Sequence, residues 1–238
     1  MRRFRDKDGE QIWFENGEIE TAMEAELRKA SMMCSVDAPV VELDGFIEGH
    51  LGASLDPYAE LDARELGYTE FFEKHPPKVS INRTLTGSAL DEDETPPGIL
   101  GRYRATLAHE AAHVILHRRL FDAVAGNMSL FGEEDARQRL SRLQKCFKRN
   151  VSFGTVTDRR EYQANQGMAA LLMPRPVFLE VAHREIRRVM PGRDDVSVGE
   201  ERNVIEPLSR LFQVSKQAAR IRLETLGLVV AAGQGRLG

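Results

Sequence analysis

The 238-residue sequence lacks the features that mark several large classes of protein. Its two cysteines, Cys34 and Cys146, are too few for a disulfide framework, and we expect both to be buried thiols. No apolar run approaches the roughly eighteen residues that a membrane-spanning helix needs. No apolar segment follows the charged first eight residues, which predicts that there is no secretory signal. Together these absences predict a cytoplasmic protein with no membrane partner.

A strong charge of one sign is absent too, because 33 basic and 37 acidic residues leave a formal net charge of −4. This balance argues against a protein that coats nucleic acid. The local clusters of arginine and lysine are interpreted as solvated helix faces rather than polyanion sites. With 42% hydrophobic residues and no visible repeat, the composition indicates one globular domain with a small appendage.

The most informative segment is His109-Glu110-Ala111-Ala112-His113. On an α-helix, side chains four residues apart have Cβ atoms about 5–6 Å apart, so the two imidazoles can reach one metal ion. Zinc binds neutral imidazole, and Glu110 lies beside the metal but off the line of the ligands. From there its carboxylate can take a proton from a water that the metal activates. The pattern indicates a zinc hydrolase, most readily a peptidase.

The flanking sequence predicts that this segment is buried. Residues 102–118 contain no glycine or proline and are apolar nearly all round the predicted helix. An unpaired polar group in such a core costs several kcal/mol, and a bound metal removes that cost. The alternative is a pair of core histidines whose ring nitrogens are satisfied by backbone carbonyls.

A catalytic zinc site needs a third protein ligand from another part of the chain. His117 continues the spacing of four, but it lies about 12 Å along the helix from His109 and cannot easily share the ion. We interpret it as a residue at the helix C-terminus, where the helix dipole favours a histidine.

The helix predicted at residues 158–172, with Asp158 as its N-cap, offers a better ligand. Glu161 lies on its apolar stripe, and a buried carboxylate requires a cation. Asn165, one turn further, is placed to hydrogen-bond a ligand imidazole. The alternative reading of Glu161 is a helix-start glutamate paired with arginine.

Periodicity and turn residues predict a mixture of helices and strands elsewhere. Residues 194–238 contain two short helices, the second capped by Ser215, which form either a DNA-reading helix-turn-helix or, as we favour, a packing hairpin. The other predicted elements are a loose arm or ribbon at 1–18, helices from Thr21 to Ala30, from Val40 to Leu51 and from Pro176 to Met190, strands at 64–73 and 78–82, a surface loop at 86–98 and a helical insert around 133–147.

These segments, in this order, resemble the ImmA/IrrE family of bacterial metallo-endopeptidases. The segments that carry the resemblance are residues 104–117, 161–165 with the Ala-Leu-Leu-Met-Pro174 ending, 39–43, 79–82, 212–215 and 221–227. The resemblance implies an α+β fold, in which the small sheet of a minimal zincin-like domain packs on the His-Glu-x-x-His helix. It implies Zn²⁺ held by His109, His113 and Glu161, with Glu110 as the general base. The domains are then an arm at 1–18, a metallopeptidase domain at 19–193 and a helical tail at 194–238.

Members of this family typically cleave a cytoplasmic transcriptional repressor. Residues 1–18 are too short for the N-terminal DNA-binding domain that some members carry, so the expected protein substrate is a separate repressor chain. Direct binding of nucleic acid is not expected. The sequence departs from the family in an insert at about 121–157 and at Gln166-Gly167-Met168, where many members have phenylalanine.

The group that stabilises the oxyanion has three candidates, Tyr103, Tyr162 and His183. The segment Val79–Asn82 is predicted to be an edge strand that binds the substrate backbone. The alternatives to a peptidase are a metal-holding regulatory module that binds a repressor or DNA without cutting, and a zinc hydrolase that acts on a non-peptide bond.

Overall fold

The computed structural model describes residues 2–6, 9–72, 75–90, 98–127, 144–147 and 159–230. The elements in chain order are β1 (Arg2–Asp6), β2 (Gly9–Trp13), α1 (Asn16–Lys29), a π-helical turn (Phe46–His50), β3 (Ser54–Ala59), β4 (Glu65–Glu70), β5 (Lys78–Asn82), α2 (Arg83–Leu90), α3 (Ile99–Asn127), β6 (Gln144–Phe147), α4 (Arg159–Leu172), α5 (Arg175–Val189), β7 (Val196–Ser197), α6 (Arg202–Leu211), α7 (Lys216–Thr225) and β8 (Val229–Val230). The fold is therefore mixed α+β. None of the described helices is long and apolar enough to cross a membrane.

The main sheet has four strands in the order β3-β5-β4-β6. Strand β3 is parallel to β5, whereas β4 is antiparallel to both β5 and β6. The prediction that Val79–Asn82 is an edge strand is therefore wrong, since β5 lies between two partners. A parallel pairing needs a crossover, which places β3 outside β5 in a way that local sequence does not reveal.

Two long helices form the centre of the molecule, because α3 and α4 pack closely against each other. A methyl group added at Gly167 of α4 would lie 2.7 Å from the Cβ of Ala112 on α3. Both small residues are fully buried, together with Ala108 and Ala111 of the same helix. Residues 166–168, where the sequence departs from many family members, thus include a point at which the two helices lie close together.

Helix α3 also lies close to the sheet, where small residues on β4 make room for it. A Cβ at Gly67 would lie 3.0 Å from Cγ2 of Thr106 and 2.9 Å from the carbonyl oxygen of Ser80. Thr69 is on the same face of the strand and is fully buried. Close approach of helix and strand brings β4 within hydrogen-bonding distance of the His-Glu-x-x-His segment.

The strands at 65–70 and 78–82, the helix after Pro174 and the ribbon at the N-terminus agree with the sequence predictions. Several other predictions are wrong. Helix α1 begins at Asn16 rather than Thr21, because Glu18 accepts a hydrogen bond from the backbone of Glu15 and closes the first turn.

The helix expected from Val40 is only a turn at Asp44–His50, although Gly52, at φ 62°, does follow its end. Residues 83–90, expected in part as loop, form α2. Within the insert predicted as helix at 133–147, residues 144–147 are strand β6, and the remainder lies outside the described residues, as does Asp158. Cys34 is half-buried rather than buried.

The C-terminal tail packs into the same hydrophobic core as the rest of the protein. Phe212 is fully buried at the end of α6, with its ring centroid 5.2 Å from that of Phe178 on α5. Ser215 caps α7 by accepting a hydrogen bond from the amide of Ala218. Strand β7 precedes the two helices in the sequence and β8 follows them, and the two strands pair in parallel.

Candidate metal centre

Three buried side chains from two helices converge at one point. His109 and His113 project from α3, with their Nε2 atoms 3.1 Å apart. Glu161, in the first turn of α4, brings Oε2 within 3.3 Å of His109 Nε2 and Oε1 within 3.2 Å of His113 Nε2. Both histidines are fully buried and Glu161 is nearly so. The structure therefore brings together the three residues that the sequence suggests as ligands.

The geometry of this cluster suits a small cation. Four atoms bound tetrahedrally to zinc at about 2.0–2.1 Å lie about 3.3–3.4 Å from one another, close to the separations of 3.1, 3.2 and 3.3 Å. Two imidazoles with one carboxylate is also a donor set found in catalytic zinc sites. Within the described part of the chain, no other group of His, Cys, Asp or Glu has this arrangement.

Asn165 lies one turn after Glu161 and contacts the first histidine. Its Oδ1 is 3.1 Å from Nδ1 of His109, and because an amide oxygen can only accept, the Nδ1–H of the imidazole donates. The proton on Nδ1 leaves Nε2 of His109 with a free lone pair directed at the cluster. This is the tautomer that a metal ligand requires.

His117 lies in the middle of α3, not at its C-terminus, because the helix continues to Asn127. The interpretation of His117 as a residue favoured by the helix dipole is therefore wrong. Its ring is fully buried, with Nδ1 2.9 Å from Nδ1 of His113. Its Nε2 has no hydrogen-bond partner among the described residues. The cluster of three potential ligands does not include it.

Glu110 lies next to the cluster and is fixed by the sheet. The hydroxyl of Thr69, on β4, donates to Oε2 of Glu110 at 2.6 Å. The other oxygen, Oε1, is buried and has no hydrogen-bond partner among the described residues. One oxygen of the carboxylate is thus held and the other is free to exchange a proton.

The sequence analysis does not identify Thr69 as a residue of the site. A threonine in a strand is ordinary, because β-branched residues favour extended structure. The signal that was available is the pair Gly67 and Thr69, two small residues on one strand face where a packed strand usually carries large apolar side chains. Such a face indicates close approach by another element.

Burial has the largest influence on the ionisation of these groups. It raises the pKa of Glu110 to about 8, against the opposing effects of His109 and Thr69. Burial also favours a raised pKa for Glu161, but the adjacent His113 and His109 outweigh it and hold the pKa of that carboxyl well below its usual range. Glu161 is therefore a carboxylate at neutral pH, as a metal ligand must be.

The pKa values of the three histidines shift in different directions. Burial lowers the pKa of each, and it prevails for His113 and, more strongly, for His117. For His109 the hydrogen bond and charge of Glu161, together with the charge of Glu110, outweigh burial and raise the pKa. A cation bound in the cluster would replace the proton that these carboxylates favour on His109.

The candidates for the oxyanion group have other contacts. Tyr103 is hydrogen-bonded to Asp44, and burial together with that carboxylate raises the pKa of its hydroxyl. The ring of Tyr162 is parallel to that of Trp13, at 6.4 Å between centroids. His183 is half-buried on α5. None of these contacts assigns an oxyanion role.

A mixed α+β fold with a buried His-His-Glu cluster and an adjacent glutamate defines a candidate metal-dependent hydrolase. The family model described as Peptidase_M78, the IrrE N-terminal-like domain, matches residues 140–224. This match confirms the resemblance to the ImmA/IrrE metallo-endopeptidases. It includes Glu161 and Asn165, whereas the His-Glu-x-x-His segment lies before it. No curated protein matches the chain.

Proposed function

We propose that this protein is a zinc-dependent endopeptidase of the ImmA/IrrE type that cleaves a cytoplasmic transcriptional repressor on a separate chain. The observation that carries the proposal is the buried cluster of His109, His113 and Glu161 beside Glu110. The family match supports a peptidase in particular. The zincin-like architecture expected from the resemblance is supported by the contact between α3, which carries the two histidines, and β4 of the small sheet.

The residues of the chain are arranged for general base catalysis. A bound zinc ion would polarise the scissile carbonyl and lower the pKa of a water molecule. The charge of the bound ion would oppose the effect of burial and keep Glu110 deprotonated. Oε1 of Glu110 then accepts the proton of the attacking water while Thr69 holds Oε2. The same oxygen then gives the proton to the departing amine as the C–N bond breaks. A carboxylic acid and an amine are the products.

Replacing Glu110 with glutamine tests this proposal directly. The E110Q variant keeps the size of the side chain and a hydrogen-bonding group for Thr69, but it has no oxygen that can accept a proton. We expect cleavage to fall by about 10²–10⁴-fold, the usual contribution of a general base. Zinc content should be unchanged, because Glu110 is not one of the three clustered ligands.

The substrate for this test is the repressor encoded nearest to the gene, incubated with the protein with and without a chelator. Fragments that require both metal and Glu110 support the proposal. Equal cleavage by E110Q would overturn the mechanism. Complex formation without fragments would favour a regulatory module, and a zinc-loaded protein that neither cuts nor binds the repressor would favour a hydrolase of another bond.

The tail is proposed to support the fold rather than to read DNA. Two exposed basic side chains on α7 are already paired with acids. Lys216 lies 3.2 Å from Glu206, and Arg220 lies 2.9 Å from Glu224. Since such pairing leaves little unbalanced positive charge for phosphate contacts, it supports the packing interpretation of the hairpin.

A further inference from the structure

We propose that His117 is a positioning residue that fixes the tautomer and orientation of His113 for metal binding. The proposal rests on the metal site of the proposed function and adds a residue that acts on the ion only through another side chain. Its basis is the contact of 2.9 Å between Nδ1 of His117 and Nδ1 of His113. Both rings are fully buried.

Only one assignment of protons allows His113 to bind a metal. Nε2 of His113 faces the cluster, 3.2 Å from Glu161, and must carry a lone pair to act as a ligand. The proton of the neutral ring is then on Nδ1, and it needs an acceptor. Nδ1 of His117 is that acceptor, which places the proton of His117 on its Nε2.

His117 itself is poorly placed to be a ligand of the same ion. It is eight residues from His109, a rise of about 12 Å along the helix. Its Nδ1 is engaged by His113. Its Nε2 is buried with no hydrogen-bond partner among the described residues.

The chain provides an internal comparison, because Asn165 makes the equivalent contact to the other histidine. Its Oδ1 is 3.1 Å from Nδ1 of His109. An asparagine oxygen is therefore able to orient a ligand imidazole in this site. Asparagine at position 117 places an acceptor near the present Nδ1, whereas leucine fills similar space with no acceptor.

The first test compares H117L with H117N in a competition between the protein and a chelator for zinc. We expect H117L to weaken zinc binding by about 10–100-fold, the usual effect of losing an outer partner of a ligand. H117N should stay within a few-fold of the unaltered protein. Thermal unfolding of the metal-free proteins measures the purely structural effect of each change.

The second test needs no variant, so it holds even where H117L fails to fold. Nitrogen-15 NMR of the zinc-loaded protein should show His113 protonated on Nδ1 and His117 protonated on Nε2. A His117 ring protonated on Nδ1 would overturn the proposal. So would an H117L variant that binds zinc as the unaltered protein does, or an H117N variant that loses as much affinity as H117L.

These outcomes separate the inference from the proposed function. An unaltered protein that binds no zinc contradicts both. An unaltered protein that binds zinc but cuts no repressor contradicts the peptidase alone. A protein that binds zinc and cleaves its substrate equally well with leucine at position 117 contradicts only the role of His117.

Discussion

The metal centre and the C-terminal tail use polar residues in opposite ways. Around α3 and α4 the polar groups are buried, and Glu110, His117 and Asn165 each keep a polar atom that has no partner among the described residues. On α6 and α7 the charged groups are exposed and paired with one another, as Lys216 and Arg210 are with Glu206. Both regions contribute buried side chains to the core, since Phe212 and Leu223 of the tail are as buried as Ala108 and Leu116 of α3.

The difference distinguishes a functional region from a structural one. Burying an unpaired polar atom costs free energy, so a cluster of such atoms persists where a ligand or a reaction uses them. Exposed charge pairs cost little and contribute little. The contrast supports the proposals that the α3–α4 region carries the chemistry and that the tail packs against the core.

The largest expected loss of stability follows from removing an ion pair of the tail that is an exception to this comparison, because its arginine is buried rather than exposed. Arg222 of α7 pairs with Glu20 of α1 and donates to the carbonyl of Met173 at 2.7 Å. Because R222M leaves the Glu20 carboxylate without its cation, we expect a loss of about 3–5 kcal/mol in the free energy of unfolding, measured in urea.

A matched control is R210A, which removes an exposed arginine whose partner is one turn away on the same helix. It should leave the unfolding midpoint nearly unchanged. If R222M were no more destabilising than R210A, the tail would not be anchored to α1 in the way the structure indicates. The double variant E20Q/R222M should recover part of the loss, since no buried charge is then left alone.

The next largest effect is expected from a substitution that separates α3 and α4, the two helices that carry the candidate ligands. In G167A the new methyl group would lie 2.7 Å from the Cβ of Ala112, so α4 must move away from α3. We expect a loss of about 1–3 kcal/mol in stability and weaker zinc binding, because Glu161 moves away from the histidines. Urea unfolding and competition with a chelator measure the two effects.

Gly87 of α2 provides the control, because nothing lies within 4 Å of a Cβ added there. G87A should raise stability by about 0.5–1 kcal/mol and leave zinc binding unchanged. Normal zinc binding by G167A would show that the cluster does not depend on the close contact of α3 and α4.

A smaller effect is expected on the rate of cleavage, with no effect on the affinity for zinc. T69V removes the hydroxyl that holds Oε2 of Glu110 but keeps the shape of the side chain. We expect cleavage to fall by about 10–100-fold while zinc affinity stays unchanged, since Thr69 contacts the base and not a ligand. T69S keeps the hydroxyl and should retain most of the activity. Equal rates for the two variants would contradict the role assigned to Thr69.

The smallest effect is expected for the exposed pairs of the tail. Lys216 and Glu206 are 3.2 Å apart, with 65% and 44% of their side chains exposed. K216A should change the unfolding midpoint by no more than the error of a urea titration at any salt concentration. A large change, or a salt-dependent loss of binding to a DNA duplex, would show that the tail has a function beyond packing.

The elements that the sequence predicted well depend on short-range rules. The helical period of 3.6 residues places Glu161 and Asn165 on one stripe, and both are indeed buried on α4. Ser215 is recognisable as a cap because a cap needs only a hydroxyl that accepts a hydrogen bond from the amide three residues later. These relations lie within one turn of a helix, so no knowledge of the rest of the chain is required.

The failures depend on contacts between distant segments. The central place of β5 follows from its pairing with β3 on one side and β4 on the other. The helix end expected near His117 is absent, because α3 continues to Asn127. The bond from Thr69 to Glu110 spans 41 residues, and the small residues on that face of β4 indicate a close neighbour without identifying it as Glu110.

The sequence by itself identified the residues that form the cluster, His109, His113 and Glu161. Two imidazoles four residues apart lie on the same side of a helix, and a carboxylate on an apolar stripe needs a cation beside it when the stripe is buried. Only the tertiary structure decided how those groups are held. It placed Thr69 on one oxygen of Glu110, His117 behind His113 and Gly167 against Ala112. The contacts of Thr69 and Gly167 join elements that are far apart in the sequence, so the spacing of residues along the chain does not encode them. His117 is four residues from His113, which places both rings on one side of the helix, but only the structure shows that their Nδ1 atoms meet.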